Sequence, residues 1–87
     1  METVYVVRDD TVKYMNAAHP LMEYLYYAGE NTSWVRDFNK ALKYPDSNAA
    51  SEMARKLHTE CPVKVLLLQI EGNRVGVGEV NFLHKIA

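Results

Sequence analysis

The chain predicts an α+β fold: an antiparallel sheet of four or five strands, with one main helix over about 47–60 and one short helix over about 37–43 packed on one face. Three observations lead there. β-branched and aromatic residues gather in runs near both ends of the 87 residues, where a pleated surface accommodates them. Between Ser47 and Glu60 the apolar residues recur at helical spacing instead. Turn residues separate neighbouring runs closely enough for hairpins.

Thr3 to Arg8 contains Val4, Tyr5, Val6 and Val7 in succession and is stopped by Asp9 and Asp10, so it forms the first strand. Val12, Tyr14 and Met15 suit a shorter second strand returning antiparallel. Pro20 to Gly29 fits two readings. Pro at a first turn and Gly beyond the end would frame a helix from Leu21 to Ala28, whereas Tyr24, Leu25, Tyr26 and Tyr27 suit a strand. Aromatic density favours the strand, ending at the loop from Gly29 to Ser33. Asp37 can cap the short helix, with Phe38, Ala41 and Leu42 on one side and Lys40 and Lys43 towards solvent, before Pro45 ends it.

In the main helix Asp46 or Ser47 offers an N-cap oxygen. Ala50, Met53, Ala54, Leu57 and Cys61 form its apolar stripe, and Pro62 stops it. Glu52 and Lys56 lie four apart on its outer face, worth ~0.3 kcal/mol. Val63 to Glu71 is apolar at both parities, as expected of a centrally placed strand buried on both faces. Gly72-Asn73 fits a two-residue hairpin. On the returning strand Val75 and Val77 share one parity while Val80 and Phe82 share the other, and a bulge at Gly78 would reconcile them.

Composition bounds the function. Ten Lys+Arg against 11 Asp+Glu give a net charge of -1, which argues against both a polybasic nucleic-acid arm and an acidic DNA mimic. A single cysteine cannot form an internal disulfide. With no charged-then-apolar leader, a reducing, cytoplasmic setting is the expectation. Apolar runs such as Val65 to Leu68 are far shorter than the about 20 residues a bilayer requires, so no membrane partner is expected. No internal repeat or linker interrupts residues 1–87, which read as one domain.

His58 and Cys61 are three apart and could share a helix face as an imidazole–thiolate dyad. Cys61, however, lies on the apolar stripe near a helix C-terminus, whose dipole disfavours a thiolate. Adding His19 and His84 gives four potential metal ligands without paired zinc spacing. Gly72, Gly76 and Gly78 sit in or beside a hairpin that no helix follows, so they do not make a phosphate cradle. Asn31-Thr32-Ser33 is formally a glycosylation acceptor, of no consequence without a leader peptide. The chain is accordingly read as non-enzymatic, with no catalytic residue, metal or cofactor.

Binding residues are sought elsewhere. Arg36, Lys40 and Lys43 follow helical spacing and, with Arg55 and Lys56, could form a basic patch interleaved with Trp34 and Tyr44. Acidic Asp37, Asp46 and Glu52 intervene, which makes nucleic acid the weaker alternative. Six tyrosines are many for this length, and Tyr24, Tyr26 and Tyr27 cluster. An exposed member would suit a protein interface. The candidate binding set is therefore Tyr24, Tyr26, Trp34, Arg36, Lys40 and Lys43.

Tyr27-Ala28-Gly29, then Trp34-Val35-x-Asp37-x-x-x-Ala41-x-x-Tyr44, then Ala49 or Ala50 opening a helix, form a recognisable pattern. It resembles small uncharacterised proteins encoded by bacteriophages and prophages of Gram-positive bacteria. The match covers roughly Tyr24 to Leu57. Ala17 to Met22 is an addition to that pattern, and the hairpin from Val63 to Phe82 is longer than it accounts for. The resemblance implies a compact α+β accessory protein that binds a host or phage macromolecule. The expected function is thus a protein-interaction module that binds another protein, or itself as a homodimer, through exposed aromatics or a sheet edge.

Overall fold

The computed structural model describes residues 2–15, 20–30 and 33–81. Five strands, β1 (Glu2–Asp9), β2 (Leu25–Gly29), β3 (Ser33–Val35), β4 (Val63–Glu71) and β5 (Arg74–Val80), form one sheet in the order β3-β2-β1-β4-β5. Every neighbouring pair is antiparallel, and one helix, α1 (Ser47–Leu57), packs on the sheet. The fold class is α+β, as the sequence predicts.

The frame is the full-length ladder between β1 and β4, running from Glu2↔Ile70 to Asp9↔Val63. Alternate residues of a strand face opposite sides, so this ladder supplies two cores. Val4, Val6, Leu66 and Leu68 face one side with Tyr26, Leu21, Phe38 and Ala41. Val7, Val63 and Val65 face the other with Tyr27, Ala50 and Ala54 of α1. Fully burying each such Val or Leu contributes about 1.5–3 kcal/mol. The double parity of Val63 to Glu71 reflects this position between two cores.

The segment after β3 crosses from one core to the other. Asp37 Oδ1 accepts from the Asn39 N–H at 2.9 Å and starts a single 3₁₀ turn, Phe38–Lys40, whose Phe38 belongs to the core opposite α1. Ala41 is extended (φ -67°, ψ 150°), and the chain then runs through a gap where β2 diverges from β1. Leu42 N–H donates to Tyr27 O at 2.9 Å, while Tyr5 and Tyr44 exchange backbone bonds of 2.9 and 2.8 Å. Strand groups left open by the divergence are thereby paired. The short helix expected over 37–43 is therefore only this 3₁₀ turn, and it lies on the face opposite α1. Extended backbone at Leu42 and Tyr44 is what the crossing requires.

Asp46 caps α1, its carboxylate accepting from the Ala49 N–H at 2.8 Å. The helix ends at Leu57 and not near Glu60. Glu60 and Cys61 N–H both donate to Leu57 O, a tightening that turns the chain so that Pro62 O accepts from Asp10 N–H at the start of β4. Pro20 to Gly29 divides its two readings in sequence, with a 3₁₀ turn at Pro20–Glu23 followed by β2.

Two sequence expectations are corrected. Val12 to Met15 does not form a strand, because β1 is already paired by β4 on one side and by β2 and Tyr44 on the other. Thr11 N–H instead donates to Asp9 Oδ1, leaving Val12 51% and Met15 76% exposed. Nor is there a bulge at Gly78: β5 pairs with β4 without interruption from Glu71↔Arg74 to Val65↔Val80. Val75 and Val80 differ in parity because they serve opposite cores. His19, His84, Phe82, Asn31-Thr32 and the start of the Ala17 to Met22 addition lie outside the described residues.

Candidate functional site

The predicted binding residues are not all presented on one surface. Tyr26 is fully buried and leaves the candidate set as a core residue; its hydroxyl has no hydrogen-bond partner among the described residues. Burial pushes its phenol up to about 12. Tyr24 is half-buried beneath Arg8, whose guanidinium carbon lies 4.1 Å from the ring centroid. Trp34 packs edge-on against Tyr27, with centroids 5.5 Å apart, on the α1 side of the sheet.

The basic residues are similarly occupied. Arg36 stands 4.7 Å from the centroid of Tyr14 and its Nε donates to Met22 O at 3.3 Å. Lys43 Nζ donates to Asn39 O at 2.7 Å and Ala41 O at 3.2 Å, while Lys40 is exposed on the 3₁₀ turn. Phe38 ties that turn to the core opposite α1, whereas Arg55 and Lys56 are on α1 itself. Such an arrangement divides these cations between the two faces of the sheet, whereas a nucleic-acid backbone is tracked by a continuous basic groove.

A cleft of about 490 Å³ lies where β4 and β5 meet the segment after α1, lined by residues including Asp10, His58, Lys64 and Glu79. Its charges are committed to one another. Arg8 Nε lies 2.6 Å from Asp10 Oδ1, and Lys64 Nζ bridges Asp10 Oδ2 at 3.6 Å and Glu79 Oε1 at 3.2 Å. Burial lowers the Arg8 pKa, but the hydrogen bond to Asp10 and its charge outweigh this and raise it overall. His58 lines this cleft, while Cys61 packs against the α1-side core. Burial, then Asp9 and Glu60, push the Cys61 thiol up, the direction opposite to that of an activated nucleophile. Among the described residues no three of His, Cys, Asp and Glu gather as a metal site. No helix among them is long and apolar enough to cross a membrane.

The two edges of the sheet contrast. β3 is three residues long, and its register with β2 shifts between Tyr27 and Gly29, which blunts that edge. β5 has seven residues in regular register with β4, and among the described residues no strand pairs with its outer side. The two-residue turn makes Glu71 and Arg74 its closing pair, and residues closing such a turn exchange hydrogen bonds with each other. The pattern alternates from there, turning the N–H and C=O of Val75, Val77 and Glu79 outward. Val77, 52% exposed, is the apolar centre of that edge. A Cβ added at Gly76 or Gly78 would meet nothing nearer than 3.7 Å, so local packing does not require glycine at either position.

Sequence reasoning named a sheet edge without locating it. No signal in the sequence places it: Val75-Gly76-Val77-Gly78 lacks the Pro and Lys that commonly mark a protected edge and reads equally as a central strand. The chain gives no significant match to any protein-family model, curated protein or solved structure.

Proposed function

We propose that this chain is a non-enzymatic protein-interaction module that accepts an extended strand, from another protein or from a second copy, along the outer edge of β5. The observation that carries the reading is that edge: seven regular residues with outward backbone donors and acceptors and Val77 at their centre. Proteins ordinarily shield such an edge, since unpaired N–H and C=O groups template further pairing. Strand addition uses main-chain hydrogen bonds for affinity and alternate side chains for specificity. The resemblance over Tyr24 to Leu57 adds the role of a phage or prophage accessory protein to this reading.

Affinity capture from a bacterial lysate tests it, with the native chain and Val77→Pro as parallel baits. Pro removes an outward N–H and leaves the β4 ladder its donors. A protein held by the native chain and lost by the variant is expected. Capture indifferent to the variant, or no capture together with a strictly monomeric native chain, would contradict the reading.

A further inference from the structure

Resting on that reading, we infer that the occupant of the β5 edge is a second copy of this chain, paired antiparallel about Val77. The outward groups make the edge its own complement. Val75, Val77 and Glu79 are symmetric about Val77, so a twofold axis through that residue sets Val77 against its counterpart and Val75 against Glu79 of the other copy. Antiparallel strands allow these opposed residues to exchange both N–H···O bonds.

Side chains fit the same register. Opposed residues share a face, so each half-exposed Val77 meets the other, forming an apolar pair beside Leu68, its partner on β4. On the reverse face Gly76 lies against Gly78 of the second copy, where neither presents a side chain. Arg74 opposes Val80 on that same reverse face, while Glu79 lies on the Val77 face against Val75.

Charge distinguishes this arrangement from a parallel one. Arg74 and Glu79 lie near opposite ends of β5, so in an antiparallel pair Arg74 opposes Val80, Glu79 opposes Val75, and no like charges meet. A parallel copy would set like ends side by side. Within its own chain Glu79 is balanced by Lys64 at 3.2 Å and Arg8 at 3.9 Å, so its approach to Val75 does not introduce an unpaired charge. The short, bulged β3 edge offers no comparable second surface, and the assembly closes as a twofold dimer with a ten-stranded sheet instead of growing into a fibre.

Sedimentation equilibrium over a concentration series tests the inference on the native chain and Val77→Lys, which opposes two like charges at the axis. The native mass should double with concentration, and the variant should lose the doubling while keeping its circular dichroism and, at concentrations where the native chain is monomeric, its melting profile. A second variant, Val77→Cys in a Cys61→Ser background, should become a disulfide-linked dimer on oxidation even if the lysine variant folds poorly. A native chain that stays monomeric throughout, or a dimer that Val77→Lys leaves intact, overturns the inference. Monomeric behaviour combined with β5-dependent capture of another protein removes the self-pairing alone and leaves the interaction-module reading standing.

Discussion

Tyr24, Tyr26 and Tyr27 are three similar side chains within four residues, yet each has a different environment. Tyr26 is enclosed with Val6 and Leu66, Tyr27 faces α1, and Tyr24 precedes β2 and lies under Arg8. Alternation explains the opposite faces of Tyr26 and Tyr27 and was legible in the sequence. That Tyr26 is buried was not, because it depends on Phe38 and Leu21 arriving from separate turns. An unpaired buried hydroxyl carries a desolvation penalty, so Tyr26→Phe should raise stability by about 1 kcal/mol in denaturant unfolding. The same variant should alter the alkaline limb. Below pH 10 the phenol is neutral in folded and unfolded chains and adds no pH dependence. From its ordinary value of 10.0 the unfolded chain releases the proton first, so stability falls as pH rises through about 12. Replacing the phenol should remove that part of the decline. An unchanged alkaline limb would contradict the burial argument.

At the scale of elements, α1 and the central strands were legible because each obeys one local period. Ala50 and Ala54 follow the helical repeat, and Asp46 supplies a short polar side chain at the right offset. Asp46→Ala removes the acceptor for the Ala49 N–H and should cost about 1 kcal/mol, read as a lower denaturation midpoint with the m-value unchanged. A midpoint unaffected by this substitution would remove the cap from the account. Where an element depends on a distant partner, the sequence is silent. Phe38 to Leu42 has helical composition, but the gap between β1 and β2 demands extended backbone at Leu42 and Tyr44. Val12 to Met15 has strand composition, but no side of β1 is left for it. Gly78 suggested a bulge because Val75 and Val80 differ in parity, and the two cores accommodate both without one.

For the whole molecule, charge balance acquires a spatial meaning. Lys64, Arg8, Asp10 and Glu79 neutralise one another beside the cleft, while Lys40 lies on the 3₁₀ turn opposite α1 and Arg55 and Lys56 lie on α1. The outer side of β5 is a sheet edge that no strand covers among the described residues. Its location was not legible in the sequence, because strand order is a property of the assembled sheet: Val75 to Glu79 would read the same in a central strand. Amide hydrogen exchange on the native chain tests the central claim most directly, since it reports on the outward N–H groups of Val75, Val77 and Glu79 one by one. The account predicts fast exchange at these amides in dilute solution and marked protection as concentration rises or a β5-dependent partner binds, with Gly76 and Gly78 changing less. Outward amides that exchange at the same fast rate at every concentration and with a partner bound would contradict it.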